Sequence, residues 1–339
     1  MRAEILAEVT RGETVESIHR GHVMIVDGGG TRVASLGDPQ TVTFFRSACK
    51  ALQAIPCIAS GAADAFDFSA EEIALAVASH SGEKQHVEIA ARMLEKIGLS
   101  ESDLRCGTHR PFNEAESNRM LRDGETPSQL HNNCSGKHIA MLAFAKYIGA
   151  DIRTYDSLQH PIQKAILECV STFCEMPVGE IKIGIDGCAA PNFAIPLASM
   201  ATAFLNLARP SRFDEETKNA CGRIVAAMIA HPELIGGSTR LDTMIMKAAG
   251  GKVISKVGAD GVWLCGILPC DEYPTGRAIA LKIEDGDDHR ARPVVAVEIL
   301  RQIGILHDDD MRELAPVVIK NRRGDVVGSV SPVFKVMGS

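Results

Sequence analysis

Apolar and polar residues alternate over residues 5–9, 22–27 and 31–36, and the last two stretches flank Gly28-Gly29-Gly30. Period-two alternation across a glycine turn predicts a β-hairpin, so the first 45 residues are expected to be β structure, with a further short strand at 41–45. The period then changes. From Ser47 to about residue 249 apolar residues recur at helical spacing, first over 48–58 and then after Ser69 and Glu72, whose spacing is that of a capping box. Val87, Ala90, Leu94 and Ile97 continue the pattern until Gly98 stops it, with Ser81 as the expected N-cap of that helix. Further helices are expected near 136–148, 158–174, 215–230 and 240–249. One β-branched alternation, 181–186, interrupts them as a short strand. Strand signals return at 252–256, 261–268, 278–283 and 326–330, with a helix at 293–305. The order β, long α, β predicts an α+β protein: an antiparallel sheet built from both chain ends, flanked by helices, with a helical lobe inserted. The expected division of this single catalytic unit, residues 1–339, is a sheet lobe of 1–60 plus 250–339 and a mainly helical lobe of 61–249.

Composition narrows the class. The chain has 339 residues with 45% hydrophobic, 23% charged and 4% aromatic residues, which excludes a disordered chain, a coiled coil and a collagen-like repeat. The net charge is −7 and no basic run is long enough to neutralise a phosphate backbone, so nucleic acid is not an expected partner. No stretch reaches about 18 apolar residues, so no membrane span is expected. The first ten residues mix acidic and apolar side chains instead of forming a secretory signal. A cytoplasmic location is expected, where the ten cysteines would be mostly buried thiols, a minority serving metal or redox chemistry.

Several segments carry reactive side chains. Ser47 and Lys50 stand three apart after a predicted strand, so that on a helix hydroxyl and amine share a face. Lysine can activate serine as a base when burial or another cation favours its neutral form. The spacing also fits a capping serine with a solvated lysine, and a second copy exists at Ser81 and Lys84. Ser79-His80-Ser81-Gly82-Glu83 gathers two hydroxyls and an imidazole between helices, or else forms a double cap. Lys256-Val257-Gly258 suits the rim of a substrate groove, or an edge strand and turn. Asn132-Asn133-Cys134-Ser135-Gly136-Lys137-His138 lacks the first glycine and the last hydroxyl of a phosphate loop, which excludes a nucleotide site. Cys134 is placed at a helix start, where the dipole would lower its thiol pKa, and Asp186-Gly187-Cys188 follows the short strand. Two thiolates with oxygen or nitrogen donors suit zinc, and the same residues suit buried free cysteines.

Taken in order, a hairpin, a Ser-x-x-Lys helix, a second serine and a Lys-x-Gly strand resemble the serine β-lactamase, DD-peptidase and glutaminase fold. The segments Phe45-Arg46-Ser47-Ala48-Cys49-Lys50, Ala78-Ser79-His80-Ser81-Gly82-Glu83, Asn132 to His138, Asp186-Gly187-Cys188 and Lys256-Val257-Gly258-Ala259-Asp260-Gly261 resemble the rhizobial-type L-asparaginases. The resemblance implies L-asparagine hydrolysis to L-aspartate and ammonia by paired Ser-Lys dyads, with Ser47 the acylated nucleophile beside Lys50 and a second pair of Ser79 and Lys256. It implies a zinc ion held by Cys134, Lys137 and Cys188, with Asp186 close by or linked through water, and a homodimer. Arg46 and His138 are the candidates for the substrate's α-carboxylate and polar groups, with Asp186 beside them. Lys-Val-Gly replaces the Lys-Thr-Gly of β-lactamases, which tells against β-lactam recognition. The competing readings are a glutaminase or peptidase of the same fold, and a non-catalytic zinc-containing binding protein.

Overall fold

The computed structural model describes residues 2–310, 314, 315 and 317–336. Residues 1 and 337–339, the ends of the expected single unit, lie outside the described residues. In chain order the strands are β1 (Glu4–Arg11), β2 (Thr14–Asp27), β3 (Arg32–Leu36), β4 (Val42–Phe44), β5 (Lys182–Ile185), β6 (Pro191–Pro196), β7 (Val253–Gly258), β8 (Val262–Ile267), β9 (Arg277–Ile283), β10 (Val318–Lys320) and β11 (Val326–Pro332). The helices are α1 (Lys50–Ala59), α2 (Ala62–Ala65), α3 (Ala70–Ala76), α4 (Lys84–Lys96), α5 (Glu114–Asp123), α6 (Ser135–Tyr147), α7 (Pro161–Cys174), α8 (Leu197–Ala208), α9 (Glu215–Ala230), α10 (Pro232–Ile235), α11 (Leu241–Ala248) and α12 (Ala291–Gln302).

The chain divides into two compact units. The first comprises residues 1–48, 195–209 and 244–339. Its sheet runs β10-β11-β1-β2-β9-β8-β7 with β3 also on β2, so both chain ends build one sheet, as expected from the sequence. Every pairing is antiparallel, and β2 aligns Gly21 to Asp27 with Ile283 to Arg277 on β9. Strands β7 and β8 are buried at every residue, which requires cover on both faces because successive side chains point opposite ways. Helix α8 packs on β2, β8 and β9, and α12 on β1, β8, β9 and β11.

The second unit comprises residues 49–194 and 210–243. Helix α1 is its hub, packing against α6, α7 and α9, while α3 packs against α6 and α9. The capping box at Ser69 and Glu72 is present. The β5–β6 hairpin aligns Lys182 with Ala194 and Ile185 with Pro191. The boundaries differ from the sequence expectation at three places, one of them 244–249, which belongs to the sheet unit. Helix α1 sits in the helical unit because its apolar residues Leu52, Ile55 and Ile58 are buried among other helices. Helix α8, expected within the helical lobe, covers the sheet.

Candidate active site

Ser47 lies in a 3-10 turn, Arg46–Cys49, that runs directly into α1 at Lys50. Arg46, the residue before it, has φ +52, a left-handed conformation that costs a side-chain-bearing residue about 1–3 kcal/mol. Strain of this kind persists where the surroundings hold it. Arg46 Nη1 donates to Asp260 Oδ2 at 3.1 Å, so this candidate for the substrate carboxylate is already paired with an acid of its own unit. The Ser47 turn also lies against the strand that carries Lys256. A Cβ on Gly258 would fall 2.6 Å from the backbone oxygen of Phe45, so only glycine allows β7 to approach there. Lys256 is completely buried, and its Nζ donates to the Val257 oxygen at 3.4 Å.

In the helical unit, Lys50 is 1% exposed. Its Nζ donates to Ala78 O at 2.7 Å, to Ser79 Oγ at 3.0 Å and to Asn133 O at 3.0 Å. The two carbonyls can only accept. They therefore take two N–H bonds in either protonation state, and the third direction, toward Ser79, can hold an N–H of the ammonium or the lone pair of the amine. Ser79 is thus hydrogen-bonded to Lys50. Lys84, in the second Ser-x-x-Lys, pairs at 3.7 Å with Glu88 on the surface.

The 79–83 segment is fixed by a network whose centre is Glu83. This glutamate, not Ser81, is the N-cap of α4. Its Oε1 accepts from Ser81 Oγ at 3.0 Å, Asn113 Nδ2 at 2.9 Å, and both N–H and hydroxyl of Ser238 at 2.9 Å. Its Oε2 accepts from Gln85 Nε2 at 3.1 Å. Burial opposes ionisation, but these donors win and hold the Glu83 carboxyl below its usual range. His80 is fully buried; its Nδ1 accepts from Gly82 N–H, so Nε2 carries the proton donated to Ser135 Oγ at 2.9 Å, while that hydroxyl donates to Leu130 O. His86 stacks on it at 4.9 Å and has the same tautomer, accepting from Glu83 N–H and donating to Glu233 O. Burial depresses both imidazole pKa values, so both rings are neutral hydrogen-bonding parts at pH 7.

A second cluster holds the sequence-predicted thiols. Lys137 Nζ donates to Cys188 Sγ at 3.0 Å, with both residues buried. The Cys134 thiol donates to Asn133 Oδ1 at 3.4 Å, and the neighbouring Cys134 thiol, helped by the Lys137 charge, overcomes burial to push the Cys188 thiol far down. Cys134 goes the other way, its thiol raised by the neighbouring Cys188 and by burial. The Lys137 amine is bonded to Cys188, which favours the thiolate there, whereas the helix start points to Cys134. His138 lies in the same place, with Nδ1 bonded to Tyr155 Oη at 2.7 Å, while its buried Nε2 has no aligned partner among the described residues. Asp186 adds negative charge beside Lys137 and caps Gly187 N–H at 2.9 Å. Among the described residues no three His, Cys, Asp or Glu side chains are gathered as a metal site. The cluster suits a zinc ion held by two sulfurs and a nitrogen, with Lys137 the nitrogen that the resemblance names, and the buried His138 Nε2 beside Cys188 is a further polar atom there.

Sequence reasoning missed Glu83, and it missed the carbonyls of Ala78 and Asn133. Backbone oxygens leave no sequence signal, whereas Glu83 could have been found from its place at the start of an amphipathic helix.

The L-asparaginase II family profile matches residues 7–332, nearly the whole chain. The chain belongs to the L-asparaginase II family. It is accordingly an amidohydrolase. Among solved structures it is similar to a probable glutaminase from Bacillus subtilis complexed with 6-diazo-5-oxo-L-norleucine, at 15% identity and TM-score 0.40, covering 84% of this chain and 85% of that one. It is also similar to a β-lactamase from Mycobacterium bovis, at 13% identity and TM-score 0.41, covering 84% of this chain and 94% of the other. No curated protein matches it. No helix among the described residues is long and apolar enough to cross a membrane.

Proposed function

We propose that this member of the L-asparaginase II family hydrolyses L-asparagine to L-aspartate and ammonia through a β-aspartyl ester on Ser47. The observation that carries the reading is the buried Lys50 amine, held by two carbonyl oxygens and aimed at a serine hydroxyl, three residues after Ser47. An asparagine amide resists water because its nitrogen donates into the carbonyl, so hydrolysis needs an activated hydroxyl, stabilisation of the oxyanion and a proton for departing ammonia.

In this reading the neutral Lys50 amine keeps both N–H bonds on Ala78 O and Asn133 O and offers its lone pair to a hydroxyl proton. Ser47 Oγ attacks the amide carbon, the C–N bond breaks as the nitrogen gains a proton, and water then cleaves the ester. Ser79 is the proton relay next to Lys50, and Lys256, on the strand against the Ser47 turn, is the second amine. The backbone N–H groups of Ser47 and of the strand after Gly258 are the proposed oxyanion donors.

Cys134, Lys137 and Cys188, with Asp186 beside them, are the proposed zinc ligands. When bound, the ion would supply a fixed positive charge that positions substrate and stiffens the loops. We further propose a cytoplasmic homodimer.

Ammonia release from L-asparagine and L-glutamine, for wild type and Ser47→Ala, tests the reading. Faster release from asparagine, lost in the variant, supports it. Preference for glutamine replaces it with glutaminase activity, and an inert wild type that still binds zinc leaves the binding-protein reading.

A further inference from the structure

Arg46 is paired with the exposed Asp260, and the helical unit holds a second candidate cation for the substrate's α-carboxylate that the sequence reading passed over. The loop from Ile235 to Arg240 is fastened to the Ser79 segment at several points. Ser79 N–H donates to Ile235 O at 2.8 Å. Gly237 has φ +123, and a Cβ there would fall 1.9 Å from Ser81 Oγ, so loop and segment are in direct contact. Ser238 is tied to Glu83 by two bonds of 2.9 Å. A third segment joins them: Asn113 N–H donates to Ser81 O at 2.9 Å, which brings the preceding Phe112 alongside. Phe112 is 53% exposed and stacks on His109 at 4.6 Å.

Arg240 ends this loop. Its guanidinium lies 5.7 Å from the centre of the Phe112 ring, and no carboxylate among the described residues pairs with it. Other arginines of the helical unit are neutralised, as Arg223 by Asp64, Arg105 by Asp156 and Arg119 by three acids, although Arg110 and Arg122 share with Arg240 the lack of a carboxylate partner among the described residues. A half-buried guanidinium over an aromatic face, with no acid paired to it, has N–H groups left for a planar anion, and a carboxylate can match its fork bidentately.

We propose that Arg240 binds the α-carboxylate of the substrate and so restricts this family member to amides of free α-amino acids. The inference rests on the reading that the Lys50–Ser79 pair stands at the reaction centre, because the Arg240 loop is built onto that segment. Glu83 acts as the strut between them.

The test compares L-asparagine with 3-aminopropanamide, which is asparagine without its α-carboxylate, for wild type, Arg240→Gln and Arg240→Lys. Arg240→Gln is expected to lower kcat/KM on L-asparagine about ten- to a hundredfold, mainly through KM, and to change 3-aminopropanamide hydrolysis less than about twofold. Arg240→Lys, which keeps charge but not the fork, falls between. Calorimetric binding of the product L-aspartate should weaken by a similar factor in Arg240→Gln, with the thermal midpoint unchanged. Equal losses on both substrates, no loss on asparagine, or unchanged L-aspartate affinity would overturn the proposal. If wild type released no ammonia from either compound while Arg240→Gln still weakened L-aspartate binding, the activity reading would fall and the carboxylate site would stand.

Discussion

Lys50 Nζ and Ser79 Oγ are 3.0 Å apart, and the lysine has two of its three hydrogen positions committed to the carbonyls of Ala78 and Asn133. The pair is therefore set for proton exchange along a single direction. Lysine can give up a proton there and arginine cannot, since a guanidinium stays protonated at any pH the protein survives. Lys50→Arg is expected to lower kcat about as far as Lys50→Ala, by roughly two to four orders of magnitude. Steady-state ammonia release measures it, and an arginine variant retaining a tenth of wild-type turnover would remove Lys50 as the base.

Zinc content separates the cysteines' two roles. Purified protein is expected to carry about one zinc per chain by elemental analysis. Chelation should raise KM for L-asparagine more than it lowers kcat, because the proposed ion positions substrate and does not activate the nucleophile. Cys188→Ser should lose the metal, since it removes the thiolate held by Lys137 and Cys134. A chelated enzyme with unchanged KM and no turnover would refute the positioning role.

The strands packed into the sheet core were legible in the sequence: β1, β7, β8 and β9 lie within a few residues of expectation because each buries one face or both, and β3 follows from the glycine turn that pairs it with β2. The misses have physical causes. Helix α5 buries only Met120, so no apolar stripe marks it. The run from Pro191 through α8 is apolar nearly throughout, with β6 buried at five of its six positions, and periodicity cannot divide a uniformly apolar stretch into strand and helix. At the site, the residue types were legible and their partnerships were not. Ser79 and Lys50 each carry a chemical group that draws notice, whereas their bond depends on how α1 and α3 pack. The same holds for Cys134 and Cys188: a helix start is visible in sequence, but an amine 51 residues away that stabilises the other thiolate is not.

The Glu83 carboxylate accepts five hydrogen bonds and, being ionised, can donate none. Glu83→Gln places an NH₂ among hydroxyl, amide and backbone N–H groups that already point inward, so at least one pair of donors must separate. The expected cost is about 1–3 kcal/mol of stability with a fall in kcat, since the Ser79 segment loses its strut. Urea unfolding and ammonia release on the same preparation check both. Wild-type kcat in a variant that is measurably less stable would show that Glu83 serves the fold alone.

Glu72 gives the acid limb of stability. Its side chain is fully buried, accepting from Ser69 N–H at 2.7 Å, Lys96 Nζ at 2.8 Å and Arg92 Nε at 3.1 Å, with Glu71 also on Arg92 and Asp67 near Lys96. Burial alone would raise its pKa, but the lysine, backbone and arginine donors bring the net value below 4.5. A carboxyl with a lower pKa folded than unfolded binds fewer protons in the native state. Its stabilisation is complete at neutral pH and drains away as pH falls from about 4.5 through the folded value. Glu72→Gln is expected to cost about 1–3 kcal/mol at pH 7. That difference from wild type should stay constant down to about pH 5 and then shrink, because at lower pH both proteins present a neutral side chain to Lys96 and Arg92. Denaturant unfolding of the two proteins from pH 7 to pH 3 measures the gap, and a gap that held steady or widened through the acid range would show that the Glu72 charge contributes nothing to the packing of α3 against α4.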